Sequence, residues 1–189
     1  MKKWLFLLAL IILLPNMLAI DIQVEKTSQN EVLITDIDRP VLFNIQITNN
    51  GFSGFFEFYN LAGFSMNPNN VTINTGETKD VQLKISPIGK ISQRGYYTIP
   101  YFIRATDTSE VEESLTFKII ELKEAFEIGS GDVDPKSQSI EIYIQNLENV
   151  DFGNVDVSFS SAFFNIAQTF NIDSRDKEQI SVQLTQEDF

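Results

Sequence analysis

The chain contains no cysteine and no histidine. Without cysteine there is no disulfide framework, no thiolate nucleophile and no thiolate metal site. Without histidine the usual proton shuttle and the commonest metal ligand are missing. Positive charge is also scarce: 14 Lys and Arg stand against 26 Asp and Glu, a formal net charge of −12. No basic cluster is present to meet a phosphate backbone, so nucleic acid is not an expected partner. The same balance disfavours docking on an anionic lipid surface. No convincing amphipathic helix can be drawn, and no nucleophile elbow, phosphate loop or metalloprotease motif occurs. Gly129-Ser130-Gly131 lacks the lysine and the following helix that a phosphate loop needs. An enzyme is therefore not expected, and no cofactor.

What is present is apolar and aromatic. Hydrophobic residues make up 43% of the 189 residues, enough to build cores, and 16 of them are phenylalanine. A sandwich without a disulfide must hold by burial, and phenylalanine rings bury large apolar areas.

Residues 1–19 read as an export signal. Lys2 and Lys3 precede an apolar run, Pro15 and Asn16 break it, and Leu18-Ala19 can precede a cleavage site. The alternative is an uncleaved N-terminal membrane anchor, slightly short for a span of about 20 residues.

From residue 20 onward the apolar residues alternate with polar ones in short runs bounded by turn signals, the pattern of strands. The clearest run covers residues 41–48, with Val41, Phe43, Ile45 and Ile47 on one face. Asn49-Asn50-Gly51 and Thr75-Gly76-Glu77 mark turns. Val32-Leu33-Ile34 reads as a short piece of edge strand. Pro100 interrupts the run 96–105, where a bulge or an edge is expected.

The pattern then returns. Val41, Phe43 and Ile45 recur as Ile140, Ile142 and Ile144, and Phe58, Phe64, Ile73, Val81, Leu83 and Ile85 as Val157, Phe163, Ile172, Ile180, Val182 and Leu184. The offset is 99 positions throughout, with Asn50 and Asn149, and Gly54 and Gly153, on the same spacing. That is the size of one immunoglobulin-like sandwich, about 100 residues. The expected fold is all-β, two tandem immunoglobulin-like β-sandwiches, at 20–121 and 122–189. They are joined by a short charged link with limited hinging. Copies of the strands near 96–105 and 113–122 fall beyond Phe189, so the second module is expected to lack its last strands. A longer polypeptide explains this most simply, and a strand given by a partner is the alternative.

Three runs carry a resemblance: residues 43–51, residues 70–81 with the phrase Val71-Thr72-Ile73 followed by Gly76-Glu77-Thr78-Lys79, and Gly95-Tyr96-Tyr97. They resemble the Ig-like repeats of archaeal and bacterial cell-surface proteins, the CARDB-like and NPCBM-associated groups of S-layer-like and adhesin proteins. The second copy departs from the phrase, with Asp173-Ser174-Arg175-Asp176 in place of the glycine turn. The resemblance implies a non-catalytic extracellular or envelope protein, structural or adhesive, with other surface proteins or glycans as partners. Membrane contact would come through the N-terminal segment or a C-terminal anchor. The alternative is a carbohydrate-binding accessory module of a larger extracellular enzyme.

Candidate sites are few. Asn70-Val71-Thr72 is an N-glycosylation acceptor triplet beside a turn. Asp36 with Asp38, and Asp132 with Asp134, are acidic pairs in turns. Calcium takes six to eight oxygens, so two acids per turn read as turn formers. Phe52, Phe55, Phe56 and Tyr59, or Tyr96, Tyr97 and Tyr101, are candidates for an aromatic platform. Alternation sends at least half of each set inward, leaving Phe52 and Tyr96 as the expected exposed members.

Overall fold

In the computed structural model, the described residues are 20–29, 31–131 and 138–184. The N-terminal apolar run and the pair Asp132 and Asp134 lie outside them. The fold is all-β, with one 3-10 turn at Leu122–Glu124 and, among the described residues, no helix long and apolar enough to cross a membrane.

Among the described residues, nine strands form the first half: β1 (Ile22–Lys26), β2 (Val32–Ile34), β3 (Val41–Asn49), β4 (Gly54–Tyr59), β5 (Phe64–Asn67), β6 (Asn70–Ile73), β7 (Thr78–Pro87), β8 (Gly95–Ala105) and β9 (Glu110–Ile120). They make a four-stranded sheet, β1-β3-β7-β5, and a five-stranded sheet, β2-β9-β8-β4-β6. All pairings are antiparallel except that of β2 with β9. The two short edge pieces, β1 and β2, belong to different sheets.

The alternating apolar residues of both sheets meet between them. Phe43, Ile45 and Ile47 face Val81, Leu83 and Ile85 along one sheet, and Ile99, Tyr101, Ile103, Leu115, Phe117 and Ile119 line the other, all buried. Phe117 is the hub. Its ring meets Phe43, Phe64 and Tyr97 edge-on, with centroids 6.2, 5.5 and 6.0 Å away. Pro100 sits in an unbroken register with Ser114, just past the last β4 pair, Tyr59 with Phe102. Its missing N–H thus falls where β8 has no β4 neighbour, and no bulge is needed.

The second half contains β10 (Phe126–Ser130), β11 (Ser139–Asn146), β12 (Gly153–Ser160), β13 (Asn165–Ile172) and β14 (Lys177–Gln183). The sheet β10-β11-β14 repeats the plan of β1-β3-β7, and the pair β12-β13 repeats β4-β6. Among the described residues no strand takes the places of β8 and β9. The core is correspondingly thinner: Ile142, Ile144, Phe159, Phe170, Ile172 and Val182 are buried, while Val155, Val157, Ile166 and Ile180 are only partly covered.

Two expectations from the repeat need correction. The 99-residue spacing holds for β12, β13 and β14 but not for β11. In the first half Ile45 pairs with Val81; in the second, Ile180 pairs with Ile142, not Ile144. The matching residues of β3 and β11 are therefore two closer, and the connection to β12 is two longer. A shift of two leaves every side chain on its original face, so alternation alone cannot reveal it. Second, Phe163 is 52% exposed and lies outside any strand, whereas Phe64 is buried in β5. Pro68 separates β5 from β6, which join different sheets. Ala167 stands in the corresponding place, so residues 163–166 and 169–173 do not split into two strands. β13 runs straight through and pairs with β12 along its whole length.

The halves meet over a small apolar cluster of their own. Val32, Ile34, Ile120 and Ala125 are buried there, with Ile37, Leu122, Phe126, Val150 and Phe152 packed around them.

Candidate interaction surfaces

Alternation that aims Phe56, Phe58, Tyr101 and Ile103 inward aims Phe55, Glu57, Tyr59, Phe102 and Arg104 outward. On this outer face of the five-stranded sheet, register puts Tyr59 opposite Phe102 and Arg104 opposite both Glu57 and Glu110. The Tyr59 and Phe102 rings stack, 5.1 Å apart at 22°. The Arg104 guanidinium donates to Glu57 Oε2 through Nη2 at 2.5 Å and Nε at 3.2 Å, and its carbon lies 4.9 Å from the Tyr59 ring centre. The Tyr59 hydroxyl donates to Glu110. That hydrogen bond to a carboxylate pushes the Tyr59 phenol above its ordinary range, and the bond to Glu57 raises the Arg104 guanidinium. The result is a fixed aromatic pair ringed by charges of both signs, with Phe55, four residues before Tyr59 on the same face of β4, 48% exposed.

The expected exposed aromatics do not share a surface. Phe52 is 69% exposed and lines a small recess of about 270 Å³ with Ile20, Gly54, Phe56 and Ala105. Tyr96 is 81% exposed, at the opposite end of β8 beside Lys118. The length of β8 separates them by roughly 30 Å at about 3.3 Å per residue. Phe56 and Tyr101 are core, and Tyr97 packs against it.

Asn70 opens β6 on the edge of the same outer face, opposite Glu57. Its amide donates to Asn69 Oδ1 at 2.8 Å, and it is half-buried. Asp36 Oδ2 accepts the backbone N–H of Leu122 at 2.6 Å and so fixes the link between the halves. Among the described residues no three acidic groups converge as metal ligands would.

Polar contacts also cross the junction. Lys118 Nζ reaches Glu148 Oε1 at 2.7 Å, with the Glu148 side chain only 7% exposed. Arg39 donates to the carbonyl of Asp151 and Asn149 Nδ2 to the carbonyl of Gln29 at 3.1 Å, while within the second half Leu147 N donates to the carbonyl of Ala125 at 2.8 Å. Beside them lies a cleft of about 380 Å³ whose lining includes Gln29, Glu31, Arg39, Asn149 and Asp151. Glu31 binds Lys26 at 3.0 Å through Oε2, and its Oε1 meets no donor among the described residues. On the link itself, hydrogen bonds from Lys123 and Arg94 hold the Glu121 carboxyl down at about 2.

The junction contacts, like the Tyr59–Phe102 pair, were beyond sequence reasoning, because they depend on register between segments far apart in the chain.

No protein-family model matches the chain, and no curated protein is similar to it. Among solved structures, it is similar to a FixG-related protein from Vibrio parahaemolyticus, with 11% identity and a TM-score of 0.41 over 52% of this chain and 94% of that one. PapD-like domain 7 of human CEP192 shares 12% identity at a TM-score of 0.38, over 58% of this chain and 92% of that domain. The CupB2 chaperone of Pseudomonas aeruginosa shares 8% identity at a TM-score of 0.36, over 82% and 87%.

Proposed function

We propose that this chain is a non-catalytic, exported envelope protein in which two immunoglobulin-like modules, residues 20–121 and 122–189, act as a spacer and an interaction surface. The observation that carries the reading is the junction. A hinged pair of binding modules needs a bare linker, and inter-domain motion is the default unless the interface is substantial. Here the short link is pinned by Asp36, the apolar cluster around Ala125 fills the corner, and Lys118–Glu148 ties the two sides. Such a joint transmits position, which is what a spacer does. Export is supported by the pattern of residues 1–19, and the surface role by the resemblance of residues 43–51 and 70–81 to surface-protein repeats.

The absence of cysteine makes the test direct. Spin labels on Lys84→Cys and Ser181→Cys report the distance between the halves. A single narrow distribution supports the spacer; a broad or bimodal one sinks it. N-terminal sequencing of the exported protein should begin near Ile20.

A second reading, a carbohydrate-binding accessory module, is favoured by the Tyr59–Phe102 pair and its ring of Glu57, Arg104 and Glu110, a surface able to stack on a sugar ring and bond its hydroxyls. Glycan-array binding lost on Phe102→Ala supports it. Absence of binding to every glycan rejects it.

A further inference from the structure

The junction cleft contains a carboxylate that the chain satisfies on one side only. Glu31 stands just before β2, where its carbonyl accepts the Lys118 N–H at 2.9 Å and fixes the residue beside β9. Its side chain is 4% exposed. Oε2 takes the Lys26 ammonium at 3.0 Å, while the buried Oε1 meets no donor among the described residues. A buried acceptor without a donor is costly, and a charged one more so.

The polar groups around it are already engaged. Asn149 gives its Nδ2 to the Gln29 carbonyl at 3.1 Å and takes the Ser174 hydroxyl on Oδ1 at 2.7 Å. Asp151 Oδ1 accepts the Ser174 N–H at 2.8 Å, and its carbonyl accepts Arg39. Asn44 Oδ1 accepts from Gln82 Nε2 at 3.2 Å. Both halves thus build walls whose own contacts hold them in place. Glu31 lines this cleft of about 380 Å³ together with the apolar side chains of Val32, Ile34 and Leu42. That volume is near the lower end for small-molecule sites.

Charge selects the occupant. Among the described lining residues Glu31 and Asp151 face one cation, Arg39, and the whole chain carries −12. Such a field draws cations and repels anions. A divalent metal fits poorly. Calcium takes six to eight oxygens, and among the described residues no three acidic groups converge. An ammonium needs one good acceptor, and its hydrogen bond to a carboxylate is roughly twice as strong as a neutral one.

We propose that the junction cleft binds a primary ammonium carried on a short alkyl stem. The ammonium donates to Glu31 Oε1, and the stem lies along Val32 and Leu42. The inference goes beyond the spacer and sugar-binding readings and rests on neither.

The test uses the full chain, with butylamine as the probe and butan-1-ol as its uncharged match. In amide NMR titrations butylamine should shift Val32 and Asn149, one on each side of the junction, along a single saturating curve. Nα-acetyl-lysine methylamide separates two sources of the same chemistry. Tighter binding than butylamine assigns the cleft to a lysine side chain, weaker binding assigns it to a free amine, and either order upholds the site. Glu31→Gln should weaken butylamine about 10-fold, the scale of one hydrogen bond to a charged group. Leu42→Trp, at a position 39% exposed on the cleft wall, should block entry while leaving the carboxylate in place. It keeps the test decisive if Glu31→Gln does not fold. Four results would overturn the proposal. These are butan-1-ol matching butylamine at the same amides, a folded Glu31→Gln chain that binds butylamine as tightly, binding untouched by Leu42→Trp, and shifts spread over the acidic surface without saturation.

Discussion

Asn49 and Asn146 make the same hydrogen bonds at the same corner of the two halves. The Asn49 amide nitrogen donates to the carbonyls of Phe52 and Ile73, at 2.9 and 3.1 Å; that of Asn146 donates to Val150 and Asp173, both at 2.7 Å. Each Oδ1 accepts the backbone N–H two residues on, from Gly51 at 3.0 Å and Glu148 at 2.9 Å. Each backbone N–H reaches the turn before the next strand of its sheet, at Glu77 and Asp176. Both residues are buried, at 1% and 0% exposed. Each ends one strand, shapes the following turn and ties it to the opposite sheet.

The first prediction follows from that geometry. Asn146→Ala leaves two part-buried carbonyls and the buried Glu148 N–H without their partner, and an unsatisfied buried group costs about 1–3 kcal/mol. Asn146→Asp keeps the acceptor but loses both donations. Urea unfolding should show a loss of about 2–4 kcal/mol for the alanine variant, with a comparable loss for Asn49→Ala. A loss under about 0.5 kcal/mol, the size of an ordinary surface change, would mean that water replaces the amide.

These two residues also show what could be read from sequence and what could not. The strands were legible because alternation is local: Val41 to Ile47, Val81 to Ile85 and Ile180 to Val182 each declare a buried face. The turns at Gly51 and Gly76 were equally local, Gly76 adopting the left-handed φ of 75° that its turn requires. Pairing is not local. The sequence aligned Asn50 with Asn149, while the structure matches Asn49 to Asn146, because a two-residue slip preserves alternation. Phe163 looked like Phe64 until Pro68, which breaks the strand in the first half, proved to have no counterpart. The stack of Tyr59 on Phe102 depends on which residue of β8 lies beside which residue of β4. Neither strand carries that information alone.

The aromatic hub supports a second prediction. Phe117 is 1% exposed and touches Phe43, Phe64 and Tyr97 edge-on. Phe117→Ala removes the packing and leaves a cavity between the sheets, a loss of about 3–5 kcal/mol. Phe117→Leu keeps much of the volume and should cost distinctly less. Chemical denaturation of both variants checks the order. Equal losses would mean that the ring geometry, rather than its volume, carries the stability.

A third prediction concerns alkaline pH. Burial pushes the Tyr101 phenol above its ordinary value, and the nearby Glu113 carboxylate adds to the shift. In the unfolded chain it titrates near 10. Below that pH both states hold the proton, and the group contributes no pH dependence. Above it the unfolded state loses the proton first, so it binds fewer protons than the folded state and stability falls as pH rises. Tyr59 and Tyr143 are also raised, so Tyr101→Phe is the necessary comparison. The variant should show a flatter loss of stability above about pH 10, followed by denaturant melts at stepped pH. Parallel curves for the two proteins would show that Tyr101 does not carry the alkaline limb.

The last prediction tests the joint. Lys118 sits on β9 in the first half, and Glu148 lies in the second, its side chain 7% exposed. Removing the lysine leaves a buried carboxylate without its cation, the costly half of a buried ion pair. The Lys118 side chain is itself 37% exposed, so water recovers part of that loss, and about 1–3 kcal/mol is expected rather than the full buried-pair penalty. Lys118→Met combined with Glu148→Leu removes both charges and should recover most of the stability, because two apolar groups of similar size need no partner there. If the pair also holds the halves in place, Lys118→Ala should split a single calorimetric transition into two, the thinner core of β10 to β14 melting first. The double substitution should bring them back together. A variant that loses stability in one undivided transition would locate the pair's contribution within the β9 side alone. The coupling between the halves would then rest on the apolar contacts around Ile120 and Ala125.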